Sequence, residues 1–177
     1  MTHTVTRQGH WEAASQGNTA FALRLYQQLA AQPGNLFFSP LSLTLALAMT
    51  CAGARRRTEA QMARVLGFEL PPSKLHPALA ALAEAVAGPG AAGEAELRIA
   101  NALWPHARHT LLAAYLALVS ATYAAQITPL EYSAPDAARQ VINAWVEERT
   151  AGRIRDLIPD GVLDAAMELV LTNAIYF

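Results

Sequence analysis

The first regular pattern along the chain is a helical one. The apolar residues that mark it are spaced four apart: Phe21, Leu25 and Leu29. They share one face of a helix, and Asn18 is a suitable N-cap for it. Residues 1–17 show no such period, so we predict a loose tail there. Pro33 and Gly34 end the helix, and residues 35–38 are predicted to form a short strand.

Further helices are predicted from capping residues and apolar spacing. Ser39 is a suitable N-cap, and Pro40 takes the first helical position of a helix that is apolar nearly all round. Thr58 opens a capping box, and Gly67 ends the helix that follows it. The predicted helices after the first cover residues 40–52, 58–66, 73–87, 111–124 and 133–151.

Three further segments have the pattern of strands. Residues 96–104 alternate between apolar and polar positions. Residues 126–132 carry Pro129, which indicates an edge strand. Residues 168–177 are nearly all apolar and β-prone, which is typical of a central strand buried on both faces. Such a strand needs two neighbours, so we expect the chain to be the front part of a larger α+β fold.

The composition of the 177 residues is that of a globular protein, with 53% hydrophobic and 15% charged residues. The net charge of −1 gives no electrostatic reason to expect nucleic-acid or membrane partners. Cys51 is the only cysteine and is expected to be a small core residue. Residues 1–17 contain no apolar stretch of the kind found in signal peptides.

Three motifs resemble known binding sites, but each is better explained as ordinary linker or surface structure. Residues 88–93 match G-x-G-x-x-G, but a helix precedes and a strand follows, the reverse of a dinucleotide site, so we interpret them as a flexible linker. His106 and His109 are too few for a metal site and are expected to be solvated. The basic run 55–57 is expected to be solvated as well.

No catalytic group can be assembled from the sequence. It contains no Gly-x-Ser-x-Gly motif. Glu147 and Glu148 are consecutive helical residues that point in different directions, so they cannot act as an acid–base pair. We therefore expect a protein that is not an enzyme and that holds neither a metal ion nor a cofactor.

Several segments together resemble the serpins, a family of serine-protease inhibitors. They occur in serpin order with serpin-like spacing, and they cover residues 18–26, 35–43 with 46–48, 99–103, 142–146 with 150–154, and 169–177. The resemblance implies one serpin domain from residue 18, of which residues 18–177 are the N-terminal portion. Its large sheet A is then interrupted within a strand at residue 177.

The resemblance also assigns roles to elements and residues. The first helices would be helices A to D, and the strands would belong to sheet A. Helix F would lie across that sheet and pack through Ile142, Asn143 and Trp145. The polar residues of the serpin shutter, under the centre of sheet A, would be Ser39, Ser42 and Asn173. Ser39 is also explained by its capping position alone.

A serpin mechanism is implied for the full-length form. A serine or cysteine protease cleaves an exposed reactive loop, which then inserts as a new strand into sheet A beside residues 168–177. The reactive loop belongs to the C-terminal serpin segment, so we expect these 177 residues to be inactive alone. The family suggests an extracellular protein, whereas the absence of a signal-like segment leaves the cytoplasm open.

A different class of function is also compatible with the terminal strand. Residues 168–177 would present a flat, apolar edge to which a strand of another chain could add. The chain would then be a non-enzymatic binding or assembly module. The same edge also favours aggregation.

Overall fold

The structure, a computed structural model, describes residues 2–87 and 97–176. The chain divides into two compact units, Met1–Ala91 and Ala92–Phe177. The segment 88–93, which we interpret as a linker, lies outside the described residues. Each unit is built around its own buried residues and is described by itself.

The first unit is helical. Its helices are α1 Thr2–Leu29, α2 Pro40–Gly53, α3 Arg56–Leu66 and α4 Pro72–Ala87. Seven of the fourteen residues of helix α2 are buried, in agreement with the burial predicted from its apolar composition. The fully buried side chains Leu45, Met49, Leu66 and Leu79 come from α2, α3 and α4, so these helices share one core.

Helix α1 is longer than predicted, and the expected loose tail over residues 1–17 is wrong for Thr2–Gly17. Ala14 is buried and lies seven residues before Phe21, so it extends the same apolar face by two turns. Asn18 is consequently inside the helix and does not cap it. Its Oδ1 instead accepts a hydrogen bond of 2.9 Å from Thr44 Oγ1.

The predicted strand at residues 35–38 is also wrong. These residues have no regular secondary structure, and the Phe37 side chain is fully exposed. A strand requires a hydrogen-bonded neighbour, and the described residues of this unit include no strand that could pair with it. Local β-propensity was therefore insufficient.

The predicted caps are mostly confirmed. The Ser39 side chain accepts a hydrogen bond of 3.3 Å from Ser42 N at the start of α2. Gly67 ends α3 in the left-handed region, with φ of 72°. Helix α3 begins at Arg56, two residues before the predicted Thr58 cap. Within the basic run 55–57, Arg55 makes a hydrogen bond: its Nη1 donates to the carbonyl of Ala52 at 2.8 Å.

The described residues of the second unit form three strands and two helices. In chain order they are β1 Arg98–Pro105, α5 Ala113–Tyr123, β2 Gln126–Ile127, α6 Pro135–Arg149 and β3 Leu169–Tyr176. The sheet order is β2-β1-β3. Strand β1 is parallel to β2 and antiparallel to β3, with Asn101 opposite Asn173. The α+β class is confirmed.

Strand β3 lies at one edge of the sheet that the described residues form, which agrees with the expectation that these residues leave the strand without its second neighbour. That the strand is central and buried on both faces in a larger fold stays a prediction. Only Thr172 and Ala174 are buried, while Leu169 is exposed. An apolar β-prone run predicts a strand well, but whether it is central depends on neighbours that the pattern does not show.

Helix α6 covers one face of the sheet. Ile142, Trp145 and Val146 of α6 are buried in one cluster with Ala102 and Trp104 of β1 and with Ala174 of β3. Because side chains alternate along a strand, positions 102 and 104 of β1 point to this face. The cluster holds helix and strands together as the core of the second unit.

Candidate functional site

The outer edge of β3, meaning the side of Leu169–Tyr176 that faces away from β1, is the candidate site. On its inner side β3 pairs with β1 over all eight residues. On its outer side the described residues provide no strand. The eight residues include no charged side chain and no proline, two features that commonly oppose pairing at a strand edge.

Asn173 belongs to a polar chain that crosses the sheet. Its Nδ2 donates to Asn101 Oδ1 at 2.8 Å, and Asn101 Nδ2 donates to the carbonyl oxygen of Tyr123 at 3.1 Å. By strand alternation, Asn101 and Asn173 point away from the α6 side. Asn101 was not predicted from the sequence, although a lone asparagine among the apolar residues of β1 was a signal for it.

The two serines grouped with Asn173 by the resemblance lie at the start of α2. Ser39 is the N-cap of that helix, and Ser42 is buried in its first turn. Their local environment is thus fixed by helix capping and by burial. That they act with Asn173 as a shutter stays a prediction.

Two predicted packing residues of α6 have distinct roles. Ile142 is fully buried in the core of the second unit. Asn143 is buried and clamps the chain that leads back to β3: its Nδ2 donates to the Ile158 carbonyl, and its Oδ1 accepts from the Ile158 N–H, both at 2.9 Å. A buried amide that satisfies a backbone donor and acceptor together fixes this segment to the helix.

Trp145, the third predicted residue, connects α6 to the sheet. Its Nε1 donates to Gln126 Oε1 of β2 at 2.8 Å. Its ring meets the Trp104 ring edge to face, with centroids 5.6 Å apart and planes at 83°, an arrangement that aromatic pairs prefer. The Arg149 guanidinium lies 5.7 Å from the ring centroid. Trp145 therefore connects α6 to both β2 and β1.

Trp104 connects the middle strand to its surroundings, and the sequence analysis did not single it out. Its Nε1 donates to Thr172 Oγ1 of β3 at 3.0 Å, and its carbonyl accepts from Tyr132 Oη at 2.6 Å. Burial raises the pKa of the Tyr132 hydroxyl to about 12, so this group stays a donor at neutral pH.

A charged cluster lies at the end of the sheet where β3 begins. Arg108 and His109 both pair with the Glu168 carboxylate, and His106 N donates to the Glu168 carbonyl at 2.9 Å. The hydrogen bond from His109 and the charge of Arg108 hold the Glu168 pKa below its usual range. His106 is buried against Tyr132, so the prediction of two solvated histidines is wrong for His106.

Over residues 2–87 and 97–176, no group of three or more His, Cys, Asp or Glu residues is placed to hold a metal ion. None of the helices within these ranges has both the length and the apolar composition needed to span a membrane.

Comparisons with known proteins identify the family to which this fold belongs. A sequence model of the serpin family, described as serine protease inhibitor, matches residues 16–177. The chain therefore belongs to the serpin family. The resemblance inferred from the sequence is confirmed.

Individual relatives support the same assignment. The chain is 38% identical to leukocyte elastase inhibitor A of Mus musculus, and 39% identical to leukocyte elastase inhibitor of Sus scrofa. Each match covers 94% of this chain and 44% of the relative. Human thyroxine-binding globulin, solved with its ligand, is 33% identical with a TM-score of 0.84, covering 95% of this chain and 45% of that one. The chain thus spans less than half the length of these relatives.

Proposed function

We propose that this chain is the strand-receiving part of a serine-protease inhibitor. In the full-length form, a serine or cysteine protease cleaves the reactive loop, and the loop inserts as a new strand at the outer edge of β3. The observation that carries the proposal is that edge: eight uncharged residues, paired with β1 on one side and without a partner strand on the other among the described residues.

The surroundings of β3 fit a strand that receives another. Helix α6 supports it through the buried cluster that includes Ala174. The first residue of β3 follows Glu168, whose carboxylate pairs with Arg108 and His109. A receiving strand must offer its backbone groups in a fixed position, because an incoming strand gains its hydrogen bonds only at the correct register.

The 177 residues alone are proposed to be inactive as an inhibitor. In the serpin resemblance the reactive loop belongs to the C-terminal portion, and this chain matches about 44% of its inhibitor relatives. A receiving edge without the segment that inserts cannot trap a protease. The activity of the scaffold therefore has to be tested with the remaining portion supplied.

A chimera tests the proposal. The 177 residues are joined to the remaining C-terminal portion of mouse leukocyte elastase inhibitor A and mixed with a leukocyte elastase. We expect an SDS-stable complex from the chimera and none from the 177 residues alone. A folded chimera whose loop is cleaved without forming a complex would contradict the inhibitory function. The unmodified mouse inhibitor is the positive control.

A second candidate function follows from the same edge: a binding or assembly module that pairs β3 with a strand of another chain. Light scattering of the 177-residue chain across concentrations tests it. We expect association that Leu169→Lys reduces, because an edge lysine opposes pairing. Leu112→Lys is the control, since Leu112 is more exposed and lies outside the strands. A monomer at every concentration would exclude this function.

A further inference from the structure

Trp104, on the middle strand β1, contacts both helix α6 and the outer strand β3. Trp104 lies on β1 and is 1% exposed. It touches α6 through the ring of Trp145 and touches β3 through the hydroxyl of Thr172. Both contacts depend on the orientation of a single indole ring, since the ring that packs on Trp145 also carries the N–H that binds Thr172.

Neither contact can be lost without effect on the other. A buried indole N–H is costly to leave without an acceptor, and Thr172, 4% exposed, provides one. An edge-to-face pair depends on ring angle and distance. Rotating Trp104 to follow a displaced Trp145 would therefore move its Nε1 away from Thr172 Oγ1. In a close-packed interior such shifts are transmitted to neighbours.

The outer elements of this chain of contacts are also anchored. Trp145 is tied to Gln126 of β2, and the main chain of Trp104 is tied to the hydroxyl of Tyr132. The backbone position of Trp104 is thereby fixed while its ring connects α6 to β3. Trp104 and Trp145 are thus joined by hydrogen bonds to β2, to β3 and to the segment after β2.

We propose that Trp104 is a positioning residue that couples the position of α6 on the sheet to the position of β3. It thereby determines where the outer edge of β3 lies. Displacing α6 loosens β3, and displacing β3 loosens α6. Thermodynamic linkage requires such coupling to be reciprocal. The relevance to strand insertion rests on the proposed function. The coupling itself is measured without a protease, so that each can fail separately.

The test uses the indole N–H signals of the 177-residue chain in ¹⁵N NMR. Thr172→Val keeps the shape of the side chain and removes the acceptor. We expect faster exchange of the Trp104 indole N–H and, at a distance, a shifted Trp145 indole signal. Trp145→Phe is the reciprocal variant, and we expect it to speed exchange of the Trp104 indole N–H about 2- to 10-fold, as for loss of an aromatic pair.

Three controls separate coupling from general loss of stability. Thr172→Ser retains the acceptor and should leave both signals as in the unaltered chain. If Thr172→Val fails to fold, the reciprocal variant decides the question, because unchanged exchange of the Trp104 indole N–H in folded Trp145→Phe would also overturn the proposal. Gln140→Ala changes an exposed residue of α6 and should alter neither signal. Trp11, 36% exposed in the other unit, supplies an internal reference signal. A Trp145 signal that is unchanged in folded Thr172→Val would overturn the proposal and leave the Trp104–Thr172 bond as a local core contact.

Discussion

The two edges of the sheet differ in length and in protection. Strand β2 has two residues, and Pro129 follows it closely; strand β3 has eight, with neither proline nor charge. Thr128 N and Leu130 N donate to β1 carbonyls, so position 129 between them faces outward, where proline has no N–H to offer. One edge is closed to further pairing, and the other is suited to receive a strand.

Edge strands without protection are the ones that pair readily with other strands, so the difference favours β3 over β2 as the edge at which a further strand would add. Both edge strands contact α6, β2 through the hydrogen bond between Trp145 and Gln126 and β3 through the buried Ala174. Variants of α6, of its connection to β3 and of the two edges therefore test the comparison.

The largest effect is expected from the support. Ile142→Ala removes a fully buried side chain between α6 and the sheet and should lower the free energy of unfolding by about 2–5 kcal/mol. Urea denaturation followed by circular dichroism measures it. Val141→Ala, at an exposed position of the same helix, should stay within about 0.5 kcal/mol. Equal losses in both variants would mean that α6 does not support the sheet as described.

The next effect concerns the connection from α6 to β3. Asn143→Ala leaves the buried N–H and C=O of Ile158 without their side-chain partner and should destabilise the chain by about 1–3 kcal/mol. Hydrogen exchange at Ile158 should rise as well. Gln140→Ala, exposed on the same helix, is the matched control. Unchanged exchange at Ile158 would show that the clamp is not maintained in solution.

A smaller effect is expected at the protected edge. Pro129→Ala restores an outward N–H next to β2 and should change stability by less than about 1 kcal/mol, since the residue is exposed. Self-association, measured by light scattering, should increase slightly. An increase larger than the decrease caused by Leu169→Lys would reverse the comparison and make β2 the dominant pairing edge.

The smallest effect is the pH dependence at the start of β3. The Glu168 pKa is lowered in the folded chain by His109 and Arg108. Its stabilisation is therefore present above the ordinary carboxyl pKa of 4.5, and is lost as pH falls through the lowered folded value. Glu168→Gln should remove this slope from stability measured against pH, whereas Glu148→Gln should retain it. A slope unchanged in Glu168→Gln would assign it to other groups.

Local signals in the sequence predicted local structure. The start of α2 at Ser39 and Pro40 and the end of α3 at Gly67 depend on capping within one turn, which sequence reasoning can follow. The strand at 35–38 failed because strand formation needs a partner. The length of α1 was missed because the burial of Ala14 is a tertiary effect.

The candidate site was only partly predictable for the same reason. Residues 168–177 were identified as a strand, and Asn143 and Trp145 as packing residues of the helix across the sheet. Their contacts with Ile158, Gln126 and Trp104 join residues from separate elements. No spacing rule within one element reveals such pairs, and Asn101 was missed because its partner Asn173 is 72 residues away.

The outer edge of β3 as the receiving edge is tested most directly by amide hydrogen exchange along β3 in the elastase-inhibitor chimera, before and after its loop is cleaved by elastase. We expect the β3 amides that point away from β1 to exchange more slowly after cleavage than before it, while those bonded to β1 change little. Outward amides whose exchange is the same before and after cleavage, in a chimera that still forms the protease complex, would contradict insertion at this edge.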